Sequence, residues 1–165
     1  MISVINLKIK EILKLGVQNQ KEKNFKEAIK NYNNVIKIDP DIVFPYHNLG
    51  LIYEEIGNID QAKKNFQKAI NVNPLFIYPY INLGILFQNQ GQKEKAIECF
   101  EKIIQIDPKN LIGYNNLGLV YASLGEYKKA INNYLKTLKI EYNNIIAIKS
   151  IIFLLTYYIS NNDHP

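Results

Sequence analysis

The chain has 165 residues, 47% of them hydrophobic and 21% charged, a balance that belongs to a folded chain with a core and excludes a disordered tail. The formal charge of +5 rests on lysine alone, since all 20 basic residues are Lys. Without Arg the chain lacks the fork-shaped donor that grips phosphates and base edges in pairs, so nucleic acid is not the expected partner.

The first sixteen residues, MISVINLKIKEILKLG, are broken by Lys8, Lys10 and Lys14 and hold no uninterrupted apolar stretch of the kind a secretory signal needs. The longest apolar run, Ile151 to Ile159, falls well short of the ~20 residues that span a bilayer. With Cys99 as the one cysteine, no internal disulfide can form, and a cytoplasmic location is the expectation.

From residue 9 onward the chain repeats itself. Gly16, Gly50, Gly84 and Gly118 lie 34 positions apart, and so do Ala28, Ala62, Ala96 and Ala130. The aromatics Tyr32, Phe66, Phe100 and Tyr134 keep the same interval, as do Pro40, Pro74 and Pro108. A period of this length predicts a stacked array in units 9–42, 43–76, 77–110 and 111–144, each too small to bury its apolar face alone. Within a unit the apolar spacing is helical: Tyr80, Leu83, Gly84 and Phe87 fall at i, i+3, i+4 and i+7, and a second such series begins after Gly91.

Each unit therefore reads as two helices joined at Gly57, Gly91 or Gly125, where a left-handed turn residue is wanted. Pro40, Pro74 and Pro108 stop the second helix, while Pro45 and Pro79 fit a first helical turn, whose amides have no partner inside the helix. Gly84 and Ala96 are expected to let the two helices of a hairpin approach, with Tyr80, Phe87 and Phe100 filling the gaps between hairpins. Residues 145–160 read as one further helix, capping the last hairpin through Ile148, Ile151, Ile152 and Leu155.

The Tyr-x-x-Leu-Gly-x-x-Tyr/Phe, Ala, Phe/Tyr and Asp/Asn-Pro columns, repeated in register from Ile9 to Asn144, resemble those of the tetratricopeptide-repeat family. The departures sit mainly in the end units, with Ile12 and Asn19 in place of aromatics and Tyr142 in place of proline. The resemblance implies a single all-α domain: a right-handed α-solenoid of four helical hairpins with a C-terminal capping helix, its first helices lining a concave groove. It also implies a non-catalytic scaffold that binds a peptide segment of a partner protein.

On the groove the sequence places Phe44, His47, Asn48 and Leu51 from the second unit, and Tyr78, Ile81, Asn82 and Ile85 from the third. Asn115, Asn116 and Leu119 follow from the fourth, and Phe153 from the cap. Asn48, Asn82 and Asn116 are the informative column. A carboxamide offers a donor and an acceptor that match the N–H and C=O of a peptide bond, so it holds an extended backbone without demanding a sequence. Similar asparagine columns bind peptide backbones in the repeat region of O-linked N-acetylglucosamine transferases. The Lys and Asn clamp by which one branch of the family grips chaperone tails is absent, since Leu13, Val17, Tyr78 and Asn82 occupy the corresponding places.

Nothing else in the chain predicts chemistry. Cys99 has no histidine placed near it in the repeat, His47 and His164 share no metal-ligand spacing, and no phosphate loop or nucleophile elbow occurs. No cofactor, metal or catalytic residue is expected. Glu54 and Glu55 would make one end of the groove mildly acidic. The helix over 145–160 carries more apolar residues than a cap requires, which raises a homodimer contact, a docked ligand or a following domain. An alternative reading makes the chain the substrate-recruiting region of a glycosyltransferase or another multidomain enzyme.

Overall fold

The computed structural model describes residues 2–162. Among them are nine α-helices and no strand: α1 (Ile2–Lys21), α2 (Phe25–Ile38), α3 (Val43–Glu55), α4 (Ile59–Val72), α5 (Tyr78–Asn89), α6 (Lys93–Ile106), α7 (Leu111–Ser123), α8 (Tyr127–Ile140) and α9 (Ile145–Asn162). The fold is all-helical and built from hairpins, as the repeat spacing predicts.

The helix ends follow from local chemistry. Gly57, Gly91 and Gly125 take φ of 79°, 72° and 76° at the turns inside their hairpins, with no atom near enough to crowd a side chain there. Backbone handedness alone therefore makes glycine the favoured residue. The first hairpin puts Lys23 at this position with φ 59°, a conformation that costs a side-chain-bearing residue about 1–2 kcal/mol. At the other end of each hairpin Asp39, Asn73 and Asp107 accept from the amides of Asp41, Leu75 and Lys109 at 3.0, 3.0 and 3.1 Å, forming the turn that carries the stop proline. Asn58, Asn110 and Asn144 cap α4, α7 and α9 by accepting from the amides of Gln61, Gly113 and Ala147.

The helices divide into two compact units at Asn82/Leu83, inside α5. In the first, α1 pairs with α2, α3 pairs with α4, and α2 packs on α3. Its core gathers Ala28, Tyr32, Leu49 and Ile52, with Leu13, Phe25 and Ile36 packed around them. In the second, α6 packs on α7, α7 on α8 and α8 on α9, around Ala130, Tyr134, Ala147 and Leu154.

One sequence expectation is sharpened and another corrected. Phe100 is seated first of all inside its own hairpin. It lies across Gly84 of its own hairpin, so that a Cβ on Gly84 would sit 2.5 Å from the ring. Tyr32, Phe66 and Tyr134 cover Gly16, Gly50 and Gly118 in the same way, and all four aromatics are at most 3% exposed. The glycine thus makes room for a ring, which in turn spaces the two helices. The correction concerns α9: Ala147, Ile151 and Leu154 face the last hairpin, while Ile152 is 56% and Leu155 46% exposed and Ile148 also stands in solvent. Ile152 occupies the place that glycine holds 34 residues earlier at Gly118.

Replacing Gly84 by Ala should destabilise the chain by about 1–3 kcal/mol, because the ring of Phe100 has no room to retreat and the strain outweighs the helix propensity gained. Urea denaturation followed by circular dichroism checks this. Gly84→Ala combined with Phe100→Leu should regain part of the loss.

Candidate functional site

The first unit brings five of the expected groove residues together. His47 sits among rings, with Phe66, Phe76 and Tyr78 at centroid distances of 5.8, 5.5 and 6.0 Å. Phe76 in turn meets Phe44 edge-on at 5.4 Å and Tyr78 at 5.3 Å. Phe44 and Tyr78 remain 54% exposed, so the cluster keeps an open apolar face.

A line of hydrogen bonds runs beneath it. Tyr32 Oη donates to Gln20 Oε1 at 2.8 Å and accepts from Asn48 Nδ2 at 3.1 Å. Asn48 also bonds His47, whose Nε2 lies 3.0 Å from Asn82 Nδ2. With the ring neutral and Nε2 unprotonated, Asn82 Nδ2 donates to it. Burial lowers the His47 pKa below its ordinary value, with the bond to Asn48 pulling weakly the other way. Leu51 and Ile81 are half-buried on the same helices.

In the second unit Asn116 Nδ2 turns back to the carbonyl of Ile112 at 2.8 Å, and Asn115 Oδ1 accepts from the buried Thr137 hydroxyl at 3.0 Å. Leu119 and Phe153, 49% and 66% exposed, line a single cavity with Tyr134 and Leu154 at its base. Ile85 is half-buried on α5.

The three asparagines are equivalent in spacing but not in bonding. The residue sixteen positions before each one decides whether a ring hydroxyl is within its reach. Tyr32 offers Asn48 a hydroxyl, whereas Phe66 and Phe100 offer Asn82 and Asn116 none. The rule extends to the cap, where Ser150 stands in the asparagine column and hydrogen-bonds Tyr134. Each asparagine commits at least one polar contact to its own chain. Sequence reasoning missed Phe76 and the Tyr32 hydroxyl; an aromatic two residues past Asn-Pro, where a turn favours polar residues, was the available signal for the former.

Other expectations are placed as follows. Glu55 pairs with Lys23 at 3.0 Å, and burial raises the Glu54 pKa, so this end of the face is less acidic than two free carboxylates would make it. Burial, assisted by Glu98, pushes the Cys99 thiol up to about 12, which keeps it protonated and unreactive. His164 lies outside the described residues. Among the described residues no cluster of three His, Cys, Asp or Glu side chains could hold a metal ion, and no helix is long and apolar enough to cross a membrane.

Family models described as tetratricopeptide repeat match residues 45–74, 77–110 and 112–141, and a further TPR repeat model matches residues 21–57. The chain belongs to the tetratricopeptide-repeat family. Two crystal structures of MamA are similar to this repeat protein over most of both chains. One has 30% identity and a TM-score of 0.78, covering 90% of this chain and 81% of that one. The other has 31% identity and a TM-score of 0.77, covering 87% and 84%. The Pseudomonas aeruginosa pilF structure shares the fold, with 18% identity, a TM-score of 0.80, and coverage of 94% and 71%. Comparison with curated protein sequences gives no match. Membership of this family and these structural likenesses support a protein-interaction scaffold as the class of function.

The neutral state of His47 predicts a pH dependence. Because its pKa is lowered on folding, the stabilisation is complete above the free histidine value of 6.5 and is lost as the pH falls from there through the folded value. The raised Glu54 pKa acts in the opposite direction and at lower pH, so the informative quantity is a difference. Between about pH 7.5 and pH 5.5, which brackets the histidine range, the Tm of the wild type should fall more than that of His47→Gln, as measured by differential scanning calorimetry.

Proposed function

We propose that the chain is a non-catalytic scaffold whose first-helix faces bind a peptide segment of a partner protein. The observation that carries this reading is the exposed aromatic face of Phe44 and Tyr78 beside Asn48 and Asn82, apolar surface next to carboxamides that retain hydrogen-bonding capacity. An Asn side chain has two N–H donors and two acceptor lone pairs. The intrachain bonds of Asn82 and Asn116 each use one donor and leave the carboxamide oxygen to meet a backbone amide. This is the similarity to the asparagine columns of O-linked N-acetylglucosamine transferases expressed in this chain's own residues. Three neutral hydrogen bonds at about 0.5–1.5 kcal/mol each supply part of a micromolar affinity, and burial of Phe44, Tyr78, Leu119 and Phe153 supplies the remainder. The partner is a protein, and no cofactor takes part.

The test separates binding from folding. Ala at positions 48, 82 and 116 together should reduce recovery of partners in a pull-down at least tenfold while the helical circular dichroism is retained. Unchanged recovery would refute the role given to the asparagines, and loss of helicity would assign them to the fold instead.

A second reading rests on α9. Its exposed Ile145, Ile146, Ile152 and Ile159 form an apolar side that a cap does not require. Ile152 also fills the place where a ring-seating glycine would open another hairpin of the same kind. A second copy of the chain is the proposed cover for this side. Light scattering should then give a dimer mass that Ile159→Asp returns to that of the monomer.

A further inference from the structure

The cavity lined by Leu119, Ala122, Phe153 and Leu154 on the second unit has features that the groove reading alone does not use. It is an open hollow of about 270 Å³, below the roughly 300–1,000 Å³ of cofactor and drug-sized sites, and suits one amino-acid side chain. Tyr134 forms part of its base, 3% exposed, with its hydroxyl bonded to Ser150. The floor thus presents no unmet polar atom to an apolar guest. Lys149 also lines the cavity, is exposed, and forms no ion pair among the described residues. In the equivalent column His47, Ile81 and Asn115 carry no formal charge, so this ammonium is particular to the cap.

We infer that this cavity and Lys149 together read an apolar-x-acidic motif, an aliphatic or aromatic side chain followed two positions later by Asp or Glu. The spacing follows from extended-chain geometry. Successive side chains point to opposite faces and residues i and i+2 share one, about 6.6–6.8 Å apart. An apolar side chain at i fills the cavity, and the carboxylate at i+2 reaches the ammonium at its rim. A carboxylate at i+1 points away. The inference rests on the peptide-scaffold reading and names the sequence that one part of the surface selects.

The experiment is a heptapeptide display library, anchored at the C-terminus so that no free carboxylate is offered, panned against the full chain and against Lys149→Gln. An exposed side chain is being changed, and an unaltered Tm will confirm that the variant is folded. Expected is enrichment of apolar-x-acidic peptides on the wild type, with the apolar preference alone surviving on Lys149→Gln. A selected peptide remade with Gln for its acidic residue should bind the wild type about three- to fivefold more weakly, as expected for an exposed ion pair, and should bind Lys149→Gln as tightly as its parent does.

Enrichment of a different motif, or of acidic residues at i+1, overturns this inference and leaves the scaffold reading standing. Capture that Phe153→Ala does not reduce also overturns it. Failure to enrich any peptide on the wild type overturns both.

Discussion

Everything in this chain is arranged around one packing event, the seating of an aromatic ring from the second helix of a hairpin onto a glycine of the first. Tyr32 on Gly16, Phe66 on Gly50, Phe100 on Gly84 and Tyr134 on Gly118 fix how far apart the paired helices lie and which way each is turned. Once that rotation is set, the buried stripe of the first helix is determined. The side chains of its opposite face, Phe44, His47 and Asn48 in α3 and Asn115, Asn116 and Leu119 in α7, are then left for other work. Packing and binding are properties of two sides of the same helix.

The ring does a second job when it is a tyrosine. Its hydroxyl projects beyond the glycine to the next first helix and takes up Asn48 or Ser150, whereas phenylalanine leaves the corresponding asparagine to look elsewhere. A single oxygen therefore gives Asn48 its partner across hairpins; without one, Asn82 meets His47 instead and Asn116 folds back on its own backbone. The two units accordingly present different surfaces built on one backbone plan: aromatic and neutral around His47, apolar and cationic around Phe153 and Lys149.

What the sequence disclosed and what it withheld have physical causes. The helix pairs, the turn glycines and the stop prolines were legible because each is a local backbone demand repeated at a fixed interval. The destination of Phe100 was not, since periodicity shows that a residue is buried without saying in which helix its neighbour lies. In α9, where Ile, Leu and Phe occur on every side, the spacing selects no face, and the buried edge proved to be Ala147, Ile151 and Leu154. The asparagine column was visible, but the bonding that differentiates it depends on residues sixteen or thirty-five positions away, Tyr32 for Asn48 and His47 for Asn82. Phe76 escaped notice because it belongs to a connection rather than to either helix.

Ile152 bears on how such a chain can lengthen. A duplicated unit inserted ahead of residue 145 would meet neighbours of its own kind on both flanks and leave α9 undisturbed. The same unit joined after α9 would bring its aromatic to a helix that offers a branched aliphatic chain where a hollow is required. In volume alone, that one side chain makes tandem copying easier ahead of α9 than directly against it.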